Sequence, residues 1–165
     1  MRSECPDTAE LMIRFIDEMI RGHSRFNVFS DEIAIAGSPQ GTAGTVLTAV
    51  VRAKSPPTVP QIGRSLGFPR QTIQRHADWL ASHGYVEFVA NPDHKLAKRL
   101  VPTQLGRDVY AAQDARAHEW ARRFTQDLDP EALRLTVETM AMIRHRLERL
   151  EPDHFVLTSE KSDKK

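Results

Sequence analysis

A single cysteine, Cys5, occurs in the 165 residues, so no intrachain disulfide can form and an apolar core must hold the fold. No apolar run approaches the ~18 residues needed to cross a bilayer, which argues against a membrane partner. Near the amino end stand Glu4 and Asp7, where a secretory leader would carry basic residues ahead of an apolar stretch. Together these absences lead us to expect a cytoplasmic protein. Also missing are a glycine-rich phosphate loop, a Cys/His nucleophile arrangement and a His-x-x-x-His pair on a helix. Without them the common routes to catalysis are closed, and we expect no enzyme. The seven histidines, His23, His76, His83, His94, His118, His145 and His154, are scattered without ligand spacing, so neither a metal site nor a cofactor is read from the sequence.

What is present is an uneven distribution of charge. The net value of +1 says little. Between Arg52 and Arg107, however, nine basic residues face three acidic ones, giving +6, while the rest of the chain has 14 basic and 19 acidic residues, giving −5. A basic middle between acidic ends suits a nucleic-acid-binding face carried on a separate scaffold. A chance fluctuation of surface charge is the alternative.

Apolar periodicity divides the chain into helices, with one change of period. A first helix is expected to open at Asp7, with Glu10 as capping partner, and to run toward Ile33. Its apolar residues (Leu11, Met12, Phe15, Ile16, Met19, Ile20) are too dense for a one-sided stripe and call for more than one neighbour. Gly37-Ser38-Pro39 breaks it, with Ser38 read as a cap and Pro39 as a first-turn residue. A short buried helix follows from Thr45 to Ala53, Gly41 and Gly44 being poor helix formers, and Ser55-Pro56-Pro57 ends it. Thr58 and Gln61 form a capping box for the next helix, in which Ile62 and Leu66 face inward. After Gly67-Phe68-Pro69, a helix spans Arg70 to His83 with Ile73, Ala77 and Leu80 on one side and Gly84 as its cap. Then the period becomes two. Tyr85 to Val89 and Arg99 to Val101 read as a hairpin around the turn residues Asn91-Pro92-Asp93-His94. A long helix starts at Thr103, and Asp129-Pro130 stops it and starts the last one, which carries Leu133, Val137, Met140, Ile143, Leu147 and Leu150. These last stripes exceed what one small domain needs, and we read them as partly intermolecular. Packing back onto the same chain is the alternative.

Val59 to Ala77 has the grammar of a helix-turn-helix. Gly63 stands where the two helices cross closely, and Gly67 occupies a turn that needs a left-handed backbone. The second helix offers Arg70, Gln71, Thr72, Gln74 and Arg75, donors and acceptors suited to phosphates and base edges. An ordinary solvated helix can carry such residues, though here no acidic residue appears before Asp78. His76 falls where an apolar residue normally packs and is read as a partly buried histidine, not a ligand. Lys95, Lys98 and Arg99 at the hairpin complete one electropositive surface, or, taken singly, are solvated loop charges.

These segments resemble the MarR family of transcriptional regulators. Leu66-Gly67-Phe68-Pro69-Arg70-Gln71-Thr72-Ile73 resembles its LG-x-S-RQTV element, and the run LASHGYV from Leu80 to Val86 resembles the approach to its first strand. Asn91 to Lys95 and Leu100 to Gly106 resemble its wing, with Asp-x-Arg, and its closing L-T-x-x-G. The resemblance covers roughly residues 7 to 150. Three positions depart from the pattern: Pro69 replaces the serine cap, Lys95 stands where the wing arginine belongs and lacks its planar fork, and Pro102 precedes Thr103. The resemblance implies a mainly α fold with a small β-hairpin wing (α+β), a winged helix-turn-helix with long terminal dimerisation helices. It divides a single domain, 1–165, into dimerisation helices at 7–37 and 103–150, a DNA-binding lobe at 42–102, and a tail at 151–165 whose end we expect to be disordered. It further implies a homodimer that binds a palindromic double-stranded operator, represses transcription and releases DNA on taking up a small-molecule effector. Leverage between scaffold and lobe would place that effector near His23, Phe26, Phe29, Val50 and Tyr110, unless those aromatics are plain core. A winged-helix module for protein contacts and a metal-responsive regulator stay open as alternatives. A peroxide sensor is disfavoured because Cys5 precedes Pro6 outside the first helix and the only tyrosines are Tyr85 and Tyr110.

Overall fold

The computed structural model describes residues 7–33, 35–93 and 97–149, and for 29–33 the backbone only. Expectations placed on Cys5, His94, Lys95, Leu150, the 151–165 tail and the side chain of Phe29 therefore lie outside the described residues. In chain order the elements are α1 (Thr8–Ile33), α2 (Gly41–Arg52), α3 (Val59–Leu66), α4 (Arg70–Ser82), β1 (Val86–Val89), β2 (Arg99–Pro102), α5 (Gln104–Phe124) and α6 (Pro130–Leu147). The fold is thus mainly helical with one antiparallel hairpin, as the periodicity implies. No described helix is long and apolar enough to cross a membrane. Contacts group the chain into two units, Met1–Ala121 and Arg122–Lys165.

The core of the first unit lies among α2, α3, α4 and the hairpin. Val46, Leu47 and Val50 from α2, Val59 and Ile62 from α3, Ile73, Ala77 and Leu80 from α4, with Tyr85, Val86 and Leu100, form one buried cluster. In α4 the buried residues recur at spacings of four and three, the stripe that commits a helix to a single apolar face. On the hairpin, Val86 faces Pro102 and Phe88 faces Leu100, so Val86 and Leu100 turn inward and the alternation is kept. A third extended piece, not announced by periodicity, joins the sheet edge: Thr58 bridges Arg99, and the Leu100 amide donates to the Pro57 carbonyl at 2.8 Å.

Local chemistry fixes the ends of these elements. Thr58 and Gln61 make a reciprocal capping box, the Gln61 amide donating to Thr58 Oγ1 and the Thr58 amide to Gln61 Oε1. At the far end of α4 the Gly84 amide reaches Ala81 at 3.0 Å and the Tyr85 amide reaches Leu80 at 2.9 Å. With Gly84 at φ 76°, this is a Schellman closure. Thr103 precedes α5 as its cap, accepting from the Gly106 amide at 3.0 Å while its hydroxyl donates to the Gly84 carbonyl at 2.6 Å. Gly106 is required there, because a Cβ on it would lie 2.0 Å from the Tyr85 carbonyl oxygen. The closing T-x-x-G element is therefore a cap plus a close contact.

One expectation about this unit is corrected. Ser38 does not cap α2 and Pro39 is not its first turn: α2 begins at Gly41 after Gln40, without a side-chain cap. Ser38 Oγ instead donates to the Ile35 carbonyl and accepts from Gln113, and Pro39 is buried. Gly44, counted against a helix by propensity, is what allows it, since a Cβ there would stand 2.8 Å from the Pro39 carbonyl.

In the second unit α6 opens on Asp129, whose carboxylate accepts from the Glu131 amide at 3.0 Å, with Pro130 in the first turn. Arg134 pairs with Glu131 and Glu138, and Arg144 with Glu148, all on exposed turns. Such exposed pairs, screened by solvent, contribute little to stability. None of the residues of α6 is buried, nor is any described residue of α1.

Candidate nucleic-acid interface

The turn between α3 and α4 sets the angle of the candidate recognition helix. Gly67 adopts φ 71°, ψ 22°, a left-handed conformation that glycine takes without strain. The Phe68 amide then reaches back to the Gly63 carbonyl at 3.0 Å. A Cβ on Gly63 would come within 3.0 Å of the Phe68 carbonyl oxygen, so the two helices meet as closely as the motif requires. Pro69 provides no side-chain cap to α4, and no acidic residue occupies its first turn. The departure at Pro69 thus leaves the first amides of α4 without a side-chain acceptor and their partial positive charge uncompensated.

At 100° per residue, Gln71, Gln74, Arg75 and Asp78 fall within an arc of about 100° opposite the buried stripe. Gln71, Arg75 and Asp78 are exposed and Gln74 half-buried; Arg70 and Thr72 flank them, exposed and half-buried. His76 is half-buried on the other flank. A groove of about 260 Å³ runs between α4, α3 and the hairpin, lined among others by Arg70, Gln74, Asp78, Phe88 and Lys98. The structure therefore brings Lys98 to the same groove as two of the expected α4 contacts, Arg70 and Gln74. Arg99 is placed differently. It lies on the opposite flank of the hairpin, in a second groove with Thr58, Gln61 and Arg64, and its guanidinium pairs with Asp93 at 2.5 Å. Arg99 and Asp93 are thus paired across the hairpin loop. Two participants were not singled out from the sequence. Arg64 required knowledge of the third extended piece, whereas Asp78, which accepts a hydrogen bond from Gln74 at 2.8 Å, was legible from i,i+4 spacing.

Of the expected effector residues, the described ones stand at different places. Val50 belongs to the buried core cluster, and His23 bonds Asn27 on its own helix at 3.1 Å. Phe26 meets Trp120 edge-on with centroids 6.0 Å apart. Trp120 and Tyr110 are ten residues apart on α5, about 15 Å along the helix, so Phe26 and Tyr110 sit at separate places. Tyr110 instead joins a polar cluster tying the end of α2 to α5. Arg52 Nε donates to the Tyr110 oxygen at 2.6 Å, Arg52 Nη2 to Asp114 at 2.8 Å, and the Tyr110 hydroxyl to Asp114 at 2.9 Å. His118 lies 3.3 Å from the same carboxylate. The Tyr110 hydrogen bond, followed by that from Arg52, holds Asp114 below the usual carboxylate range against the opposing effect of desolvation. A depressed folded-state pKa means the unfolded chain binds more protons, so the contribution is present above the ordinary carboxylate range. It is lost as pH falls through the lower folded value. Asp114→Asn is expected to remove this component from the acid limb of a melting-temperature profile; an unchanged limb would mean the cluster does not form in solution. Among the described residues no group of three or more His, Cys, Asp or Glu side chains could hold a metal ion.

Comparison with known proteins places this geometry. A MarR family model matches residues 39–95, which contain α2 to α4, β1 and the start of the wing. An uncharacterized protein of Mycobacterium tuberculosis (strain H37Rv) is 37% identical over 111 residues, 67% of this chain and 77% of the relative. The chain belongs to the MarR family. MarR family members are transcriptional regulators, not enzymes. The fold agrees with solved transcriptional regulators. The transcriptional regulator BldR of Sulfolobus solfataricus superposes with a TM-score of 0.73 at 12% identity, covering 86% of this chain and 99% of that one. Staphylococcus aureus MarR, solved with salicylate and kanamycin, gives 0.68 at 16% identity, covering 84% and 93%. Within this MarR-family chain the matched segment overlaps the basic stretch from Arg52 to Lys95 and holds six of its nine basic residues.

Proposed function

We propose that the protein is a sequence-specific double-stranded DNA-binding regulator, acting as a homodimeric repressor on a palindromic operator. One observation carries the reading: the exposed face of α4 gathers Gln71, Gln74 and Arg75, and the adjoining groove adds Arg70 and Lys98. Amide and guanidinium groups on a helix of this size match base edges in the major groove, while the flanking cations neutralise phosphates. Thr72 flanks that face, and Lys95 and Arg99 complete the assigned contacts, Arg99 chiefly by fixing the wing. Release by a small-molecule effector is part of the proposal; the salicylate held by the Staphylococcus aureus relative supports it.

Selection of bound sequences from random duplex DNA tests this reading, and we expect a palindromic consensus. Arg75→Ala should weaken the selected site by about 1–3 kcal/mol and relax one symmetric pair of positions if it reads a base. A loss equal on all sequences would assign it to a phosphate. Recovery of no consensus would favour a protein-interaction module.

A further inference from the structure

We propose that Asp78 is a positioning residue for base readout: it holds the Gln74 amide in the one orientation that selects adenine, while its charge opposes binding to mismatched DNA. This rests on the reading of α4 as the recognition helix. Gln74 Nε2 donates to Asp78 Oδ1 at 2.8 Å across one turn, and both residues line the groove that also holds Arg70 and Lys98. The Gln74 bond is the one side-chain hydrogen bond of Asp78 among the described residues, so the carboxylate is not a member of a structural ion pair.

The chemistry of the two groups fixes the orientation. A carboxylate only accepts, so the nitrogen of the amide must face Asp78 and Oε1 must turn away. The flipped amide would set oxygen against oxygen. In this arrangement Asp78 is to take the Nε2 hydrogen anti to Oε1, which leaves the syn hydrogen free on the edge that carries Oε1. A donor beside an acceptor is the pair that meets N7 and the N6 amino group of adenine. Without Asp78 the amide rotates, and Gln74 tolerates other bases. The charge acts in the opposite sense to affinity. A carboxylate on a face that meets phosphates costs binding on every duplex, and only a matched base offsets that cost.

The test uses the full-length protein and its selected operator, with Asp78→Ala, Asp78→Asn, Gln74→Ala and the Gln74→Ala/Asp78→Ala pair. Each is assayed by random-duplex selection and by binding to a scrambled duplex across salt concentrations. Neither side chain belongs to the buried core, and melting curves check that each variant folds. We expect the Asp78 variants to bind scrambled DNA several-fold more tightly at low salt. They should also lose preference at the same positions as Gln74→Ala, with discrimination there falling about fivefold or more. In the double variant, base preference should be no worse than in Gln74→Ala alone, the signature of two groups acting as one. If Gln74→Ala relaxes a position that Asp78→Ala leaves intact, the positioning role is overturned and the recognition reading survives. If neither these variants nor Arg75→Ala alter any position, the recognition reading of α4 falls, and the proposal with it.

Discussion

Gly106→Ala is expected to cost about 3 kcal/mol or more of unfolding free energy, at the upper end of what one inserted methyl does to a packed site. The added Cβ would stand 2.0 Å from the Tyr85 carbonyl oxygen and 3.0 Å from its carbon. Neither neighbour can give way easily. The Tyr85 carbonyl accepts from the Thr103 amide at 3.1 Å, the Tyr85 amide closes α4, and the Tyr85 hydroxyl donates to the Gly37 carbonyl at 3.0 Å. Moving Tyr85 therefore loosens the end of α4, the start of the hairpin and the cap of α5 together. Gly22 provides the control. It lies inside α1 with nothing within 4 Å of an added Cβ, so Gly22→Ala should stabilise by about 0.5–1 kcal/mol through helix propensity. Urea unfolding of the two variants beside the parent protein separates a steric role from generic helix preference. A Gly106→Ala protein as stable as the parent would show that α5 does not approach Tyr85 so closely.

Elements decided by local chemistry were legible in the sequence. The capping box at Thr58, the Gly84 closure and the Asp129-Pro130 restart each place their partners within a few residues, and all three form as read. The apolar stripe of α4 was equally plain because one face alone is buried. Features made by distant residues were not. Propensity counted Gly44 against a helix, but its role depends on the Pro39 carbonyl, and Ser38 was free to be a cap until Gln113 claimed it. The Arg52–Tyr110–Asp114 cluster joins residues some sixty positions apart, and nothing in either segment announces the other. The candidate interface lies between these extremes: Gln71, Gln74 and Arg75 share a face by periodicity alone, whereas the separate placements of Lys98 and Arg99 needed the register of the hairpin.

Leu133→Glu combined with Met140→Glu is expected to convert the protein to a monomer at micromolar concentration. Leu133, Val137, Met140 and Leu147 recur at helical spacing along α6, and every one of them is exposed within a single chain. Leu11, Ile13, Met19 and Ile20 of α1 are exposed as well. Apolar rows of this length are unusual on a solitary surface and mark a contact with another molecule. A second copy of the chain fits the reading of a two-fold operator, and two-fold symmetry doubles every substitution. Each buried leucine or methionine contributes about 1.5–3 kcal/mol. With 42% of each residue exposed in one chain, four substituted sites lose at least about 2.5 kcal/mol of burial, roughly two decades in dissociation constant, before the cost of burying four carboxylates is added. Neither substituted residue takes part in the ion pairs of Arg134 and Arg144, so those pairs stay in place. Sedimentation equilibrium should accordingly find a folded monomer, and affinity for the full palindrome should fall to that for a half-site. A double variant that still sediments as a dimer and binds the palindrome unchanged would place the α6 row elsewhere, and the two-fold contact would have to be sought without it.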